Sequence, residues 1–352
     1  MRPFIHNALP GRVVFGTGSL TKLGEEIERL GARRALVLCT PEQKEQAQDV
    51  AVRLGARCAG IFDRAVMHVP IETARAARDE ARRLEADCAV AVGGGSTTGL
   101  GKAIALESSL PILAIPTTYA GSEMTPIYGI TEGGLKRTGR DSRVLPRTVI
   151  YDPSLTLGLP SGLSATSGMN AIAHAVEGLY AEDANPITWL LAVEGIRALA
   201  QGLPRVIADP LDLEGRSECL YGAWLCGAVL GSVGMALHHK LCHTLGGTYN
   251  LPHAETHTVV LPHAIAYNRA AVPAAMQRAA DALGAEDAAQ GLYALARTLG
   301  APAALKDLGM READLDRAAE IATQSPYYNP RPVEYGAIRK LLDDAYHGRE
   351  PA

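Results

Sequence analysis

Between residues 12 and 150, short apolar runs alternate with longer stretches of helical periodicity. Residues 12–15, 35–39, 59–62, 88–92 and 112–115 have strand length and are rich in Val, Ile, Leu and Ala. Residues 20–30, 42–54, 71–84 and 101–106 lie between them and place apolar side chains at three- and four-residue intervals. That order predicts strand–helix–strand crossovers and a parallel sheet. Residues 129–143, with Gly133, Gly134 and Gly139, read as a hairpin, and Val149-Ile150-Tyr151 is the last strand before Asp152-Pro153. Beyond it the strand signals fade. Residues 163–180, 189–203, 218–237, 272–283, 292–299, 312–323 and 333–346 read as helices, several rich in Ala and Leu. Two domains are expected, an α/β domain over 1–158 and an all-α domain over 159–352. A chain of 352 residues makes that division natural, because single cores stop growing at roughly 250–300 residues.

Composition narrows the partners. Hydrophobic residues make up 47% of the chain and charged residues 20%, which fits a globular protein with a sizeable core. A formal net charge of −4 supplies no basic field for nucleic acid, so small molecules are the expected ligands. Residues 221–237 are uncharged but interrupted by glycine and shorter than the ~20 apolar residues that span a bilayer. They are expected as a buried helix, with no membrane partner. Cys39, Cys58, Cys88, Cys219, Cys226 and Cys242 show neither a CxxC pair nor metal-knuckle spacing and read as reduced thiols. The N-terminal stretch meets Pro10 and Gly11 before an apolar run develops and does not read as a signal peptide, so a cytoplasmic location is expected.

Two sets of residues carry chemistry. Gly93-Gly94-Gly95-Ser96 follows the strand at 88–92 and precedes a helix containing Lys102. Glycine there lets the backbone approach a pyrophosphate, and the helix N-terminus supplies N–H donors. Thr117 and Thr118, with Gly121, Ser122 and Glu123, follow the next strand and place hydroxyl groups at a neighbouring carboxyl edge. Side by side, the two loops make a nucleotide crevice. Gly16-Thr17-Gly18-Ser19 admits either a third loop of this kind or a helix cap by Ser19. In the helical half, Asn170 and His174 are four residues apart, as are His239 and His243, and His253 follows after Gly246-Gly247, where that helix is expected to end. Paired spacings on helices point to one shared site rather than to isolated core histidines. His257 and His263 read as supporting or structural groups.

These marks, in this order, resemble the iron-containing alcohol dehydrogenase family, which is related in fold to dehydroquinate synthase. The matching residues are Gly93 to Ser96 with Lys102, Pro116-Thr117-Thr118 with Gly121-Ser122-Glu123, Asp152-Pro153, and the histidines ending in Pro252-His253. The resemblance implies a dinucleotide-binding α/β domain and an all-helical domain with the active site in the cleft between them, and commonly a homodimer. It also implies NADH or NADPH as cofactor, held by Thr40, Gly93, Gly94, Gly95, Ser96, Thr117, Thr118, Ser122 and Leu155. The family's metal is typically held by an aspartate and three histidines, and those positions are Asn170, His174, His239 and His253. The aspartate has become a neutral amide, so a tightly bound metal is not expected. Gly99 likewise stands where the family usually has an aspartate.

Both departures, and the stretches 117–126, 134–141 and 168–177, are similar to the maleylacetate reductase branch of the family. That branch reduces the carbon–carbon double bond of maleylacetate to give 3-oxoadipate during the breakdown of aromatic compounds. An activated alkene spreads the developing charge into an enolate, so histidine donors suffice where a ketone needs a Lewis acid. The expected roles are His243 as donor or acid, His239 and His253 as groups orienting the enolate and a carboxylate, and Lys136 and Lys240 as partners of the dicarboxylate substrate. A metal-dependent alcohol or polyol dehydrogenase, with Asn170 still ligating, is the alternative.

Overall fold

The computed structural model describes residues 4–9, 11–133, 135–324 and 327–352, except for the side chains of Leu135 and Lys136. The chain divides into two compact units, residues 8–159 and residues 160–352 together with residues 4–7.

In the first unit the strands are β1 Arg12–Phe15, β2 Ala35–Leu38, β3 Cys58–Phe62, β4 Cys88–Gly93, β5 Ile112–Pro116, β6 Ile127–Glu132, β7 Leu135–Arg140 and β8 Thr148–Tyr151. Its helices are α1 Leu23–Arg29, α2 Lys44–Leu54, α3 Ile71–Arg83 and α4 Gly95–Ser108. Six strands form a parallel sheet in the order β1-β8-β5-β4-β2-β3, and β6 pairs with β7 as an antiparallel hairpin. The two-residue period of the strands explains the layers. Ala35, Val37, Val90, Val92, Leu113 and Ile115 point to one face, where Leu23, Ile27, Val50 and Leu54 of α1 and α2 pack on them. Leu36, Leu38 and Ala89 point to the other, against Ala74, Ala77, Leu100 and Ile104 of α3 and α4. From β2 the chain steps outward to β3 and then returns to the other side of β2 as β4. The carboxyl ends of β2 and β4 therefore flank a topological switch point, the place where open α/β sheets bind ligands.

The second unit is helical: α5 Ser161–Leu179, α6 Pro186–Ala208, α7 Leu213–Ser232, α8 Leu237–Tyr249, α9 His253–Asn268, α10 Pro273–Leu283, α11 Ala288–Thr298, α12 Leu315–Gln324 and α13 Tyr335–His347. Leu237, Leu241 and Leu245 of α8 pack with Val260 and Ala264 of α9, Ala318 and Ala322 of α12, and Leu342 and Ala345 of α13.

Two expected elements are corrected, and one helix is added. The helix read at 218–237 begins earlier, where the Asp212 carboxylate caps the N–H of Gly215 at 3.0 Å, and stops at Ser232 before a 95° bend into α8. No single helix among the described residues is long and apolar enough to cross a membrane. Gly246-Gly247 does not end α8, which runs to Tyr249 and turns at Asn250 in the left-handed region (φ 54°). Helix α9 was not read from the sequence at all, because Pro262 interrupts its pattern and it is buried on nearly every side.

Candidate active site

In the α/β unit, Gly94 is the extended N-cap of α4, and no side chain caps that helix or places an acid in its first turn. Its first N–H groups are left for a ligand, with the positive end of the helix dipole behind them. The surrounding positions leave little room for larger side chains. Gly93 has a φ of +143°, and a Cβ there would collide with Gln43 and Thr97. A Cβ on Gly94 would lie 2.9 Å from Thr118 Oγ1, whereas one on Gly95 would meet only Ala120, at 3.8 Å, and would point into open space. Thr97 Oγ1 is buried without a hydrogen-bond partner. A glycine-lined approach to an uncapped helix start fits a dinucleotide pyrophosphate.

Gln43, which the sequence did not single out, joins the ends of three strands. It accepts a bond from Thr40 Oγ1 at 3.3 Å after β2, donates to Thr117 Oγ1 at 2.7 Å after β5, and lies against Gly93 at the end of β4. Ser122 is held by Lys102, whose fully buried Nζ donates to Ser122 O at 2.6 Å, Ser122 Oγ at 3.2 Å, Thr125 Oγ1 at 2.9 Å and Ile127 O at 2.7 Å. Burial pulls the Lys102 amine down to about 7, opposed by the charge of Glu123. Glu123 is itself buried, which raises its carboxyl, and it accepts from Tyr151 Oη at 2.8 Å. Lys102 thus fixes the loop after β5, in which Ser122 lies. Leu155 lies in the turn after β8 and accepts from Gln46 Nε2 at 3.2 Å. Ser19 does not cap a helix through its side chain, since its hydroxyl donates to Tyr151 O at 3.1 Å. The N–H groups of Gly18 and Leu20 are bonded to the Asp152 carboxylate at 3.1 and 3.0 Å, so that loop has spent these donors internally.

In the helical unit, the expected residues meet. Asn170 and His174 lie one turn apart on α5, with Nδ2 of Asn170 3.4 Å from Nε2 of His174. Nδ1 of His174 is 2.9 Å from Nε2 of His239 on α8, and Nδ1 of His239 is 2.6 Å from the Glu177 carboxylate. His243 follows one turn later, its ring centroid 6.1 Å from that of His239. His253 begins α9, and its ring is 4.3 Å from that of His257. Lys240 holds its ammonium 5.6 Å from the centre of the Tyr327 ring. The side chain of Lys136 lies outside the described residues.

Glu177 is the residue of this site that sequence reasoning missed. Its carboxylate accepts from the backbone N–H groups of Ala236, His238 and His239 at 3.1, 2.8 and 3.3 Å, and so caps α8, which has no capping side chain of its own. Burial pushes the carboxyl up, but the hydrogen bond from His239, the electrostatic attraction of His239 and His238 and the Ala236 N–H outweigh it and hold Glu177 at about 2. The available signal was its spacing, three residues after His174 on one helical face.

An ionised Glu177 sets the direction of the whole chain. An amide nitrogen can only donate, so His174 Nε2 accepts from Asn170. A neutral His174 then carries its proton on Nδ1 and donates to His239 Nε2, and His239 donates from Nδ1 to Glu177. A carboxylate at position 170 would reverse the first bond and leave two lone pairs facing each other between His174 and His239, unless a cation separated them. The asparagine and this direction of bonding are mutually consistent. Both ring nitrogens of His174 and His239 are already engaged, so these two histidines offer no free lone pair to a metal in this arrangement. Among the described residues the grouping of His, Cys or acidic ligand atoms close enough to share an ion is His238, Cys242 and His257. There His238 Nε2 and His257 Nδ1 already share a hydrogen bond at 3.0 Å.

Three buried polar atoms among the described residues of this unit stand without a hydrogen-bond partner, Asn170 Oδ1, His257 Nε2 and Tyr327 Oη. Leaving such a group unpaired costs about 1–3 kcal/mol, a cost that a ligand able to bond it would remove.

Comparison with known proteins places the chain. Residues 10–153 match the family described as iron-containing alcohol dehydrogenase, and residues 164–346 match the C-terminal part of the Fe-containing alcohol dehydrogenase family. The chain belongs to that family and is an oxidoreductase. Within it, the chain is 62% identical to a maleylacetate reductase of Burkholderia cepacia, over the full length of both proteins. Two crystal structures of maleylacetate reductases superpose over the whole of each chain. That from Agrobacterium tumefaciens has 55% identity and a TM-score of 0.97, and that from a Rhizobium species has 57% identity and a TM-score of 0.96.

Proposed function

We propose that this protein reduces the carbon–carbon double bond of maleylacetate to give 3-oxoadipate, using NADH or NADPH and no tightly bound metal. The observation that carries the metal-free reading is the hydrogen-bond chain from Asn170 through His174 and His239 to Glu177, each bond of which pairs a donor with an acceptor without a cation. The substrate follows from the full-length relatives that bear that activity in their names.

The nicotinamide, when bound, supplies a hydride. Gly93, Gly94, Gly95 and Ser96 would hold its pyrophosphate, Thr40 its adenosine ribose, and Thr117, Thr118, Ser122 and Leu155 the remainder. The hydride enters the alkene carbon β to the ketone, and the electron pair of the double bond moves toward the ketone oxygen as an enolate. Imidazole N–H groups of the helical unit stabilise that oxygen, with Glu177 keeping His239 in one tautomer and orientation. The α carbon then takes a proton from His243 or from water, which completes a reduction that consumes one NADH and one proton. His253 and Lys240 receive the substrate carboxylates, and Lys136 is the candidate on the hairpin. The six free thiols, five of them buried, suit a reducing cytoplasm. A homodimer is the assembly this reading carries.

The test is NADH absorbance with maleylacetate, with a simple aldehyde and a ketone in parallel. Oxidation of NADH with maleylacetate alone, with 3-oxoadipate as product, is expected. Turnover of the aldehyde or ketone in preference to maleylacetate would overturn the assignment.

A further inference from the structure

His257 has no part in the chain described above, yet it lies at the centre of the same cluster. It sits one turn after His253 on α9 and is fully buried. Its ring centroid is 4.3 Å from that of His253, 4.8 Å from His238, 4.9 Å from His239 and 6.3 Å from His174. One nitrogen is accounted for, since Nδ1 bonds to Nε2 of the fully buried His238 at 3.0 Å. The other, Nε2, is buried with no hydrogen-bond partner. Burial, helped by the charges of neighbouring histidines, keeps this imidazole neutral.

The proton shared by the pair has two possible directions, and one of them leaves a donor at His257 Nε2. Cys242 Sγ lies 3.9 and 3.7 Å from Nδ1 and Nε2 of His238, and burial keeps the thiol protonated. When His238 carries its proton on Nε2, it donates to His257 Nδ1. His257 then carries its own proton on Nε2. Every donor in this sequence has an acceptor except the last, which is an N–H among the active-site imidazoles. The opposite direction leaves a lone pair at His257 Nε2 in place of a donor.

We infer that His257 is a further catalytic residue: its Nε2–H donates a hydrogen bond to the substrate oxygen that becomes the enolate. This deepens the proposed reaction and rests on it. No proton leaves His257. The bond strengthens as charge develops on the oxygen, so it acts on the transition state more than on the bound substrate.

Two substitutions separate this role from a structural one. His257→Asn keeps a polar group near Nδ1, within reach of His238, and deletes the inward donor. His257→Gln sends an amide N–H toward the place of Nε2. Measured with maleylacetate and NADH, kcat is expected to fall about a hundredfold or more in His257→Asn while thermal melting stays near that of the wild type, and His257→Gln is expected to recover at least tenfold of that loss, roughly the scale of one oxyanion donor. A merely structural histidine would give the reverse order, because the Asn variant preserves the bond to His238. Unimpaired turnover in His257→Asn, or equal loss in two folded variants, overturns the inference. If neither variant folds, 15N-histidine spectra of the wild type decide the point. The His257 Nε2–H, identified through its coupling across the bond to His238, is expected to move downfield on titration with 3-oxoadipate. Saturation by 3-oxoadipate without such a shift overturns the inference. Absence of NADH oxidation by the wild type would strike at the reaction itself, whereas an active wild type with an unimpaired Asn variant strikes at His257 alone.

Discussion

In the α/β unit the buried amine of Lys102 has its bonds inside the protein, to Ser122, Thr125 and Ile127. In the helical unit the buried Asn170 Oδ1, His257 Nε2 and Tyr327 Oη have none, and in the α/β unit Thr97 Oγ1, in the first turn of α4, likewise has none. The first pattern fixes a loop so that a helix start and a glycine-lined edge can meet a ligand through the backbone. The second holds side-chain groups in a fixed direction with unspent ends. On the proposed reading the α/β unit binds the cofactor through its backbone and the helical unit acts through side chains, so perturbing one unit should change different kinetic constants from perturbing the other.

The largest effect is expected for His243→Ala, which should lower kcat by about 10²–10⁴-fold, the range for a lost general acid, while leaving the dissociation constant for NADH within about threefold. A variant with unchanged turnover would remove His243 from the reaction. Its counterpart is Gly95→Val. The Cβ at residue 95 would meet Ala120 at an ordinary 3.8 Å, so the fold should survive while the side chain occupies the approach of the pyrophosphate. KM for NADH should rise at least about tenfold, or about 1.4 kcal/mol, with KM for the dicarboxylate little changed. Normal NADH binding to this variant would contradict the loop assignment.

Acid should sharpen the contrast further. Burial holds His238 at about 3 and His263 at about 4, with the charge of Asp344 opposing the shift at His263, and keeps His257 well below its ordinary value of 6.5. Below pH 6.5 the unfolded chain therefore binds more protons than the native one. Stability is fully present above that pH and is lost as pH falls toward the folded values, by up to ~1.4 kcal/mol per unit for each group. Lys102, lowered from 10.5 to about 7, acts over a different window: its contribution is fully present above pH 10.5 and is lost as pH falls toward 7. Hydrogen exchange resolved by unit should show the helical unit losing protection first between pH 6.5 and 4. Equal losses in the two units would contradict this picture.

The smallest effect concerns cofactor choice. Thr40 Oγ1 is bonded to Gln43, and a neutral hydroxyl at the end of β2 neither repels an extra phosphate nor accepts two ribose bonds as an anion would. NADH and NADPH should have kcat/KM values within roughly tenfold of each other. A preference for NADH above about a hundredfold would mean that an acid, with exposed Glu42 the first candidate, does the selecting.

The parallel sheet was legible because its strands are buried on both faces and read as continuous apolar runs, and the loop after β4 because its glycines stand between such a strand and a helix. The start of α4 was harder to see. Read as 101–106, the helix begins at Gly95, and Gly95, Gly99 and Gly101 weaken the periodic signal at the very turn that meets the ligand. Spacing brought Asn170, His174, His239 and His243 into view because each pair lies on one helix. Glu177, Gln43 and the His238–His257 bond were not visible in that way. Their roles depend on which helices and loops face one another, and a lone acid in an apolar helix or a glutamine in a turn has no periodic mark of its own.

The directed chain of Asn170, His174, His239 and Glu177 is proposed to do without the metal. Its most direct test is the metal content of gently purified protein, combined with NADH oxidation on maleylacetate before and after exhaustive chelation. The account predicts well under one iron or zinc per chain, a rate unchanged by the chelator, and a raised divalent-metal affinity in Asn170→Asp, where the restored carboxylate calls for a cation. Stoichiometric metal, with activity lost on its removal and regained on its return, would contradict it.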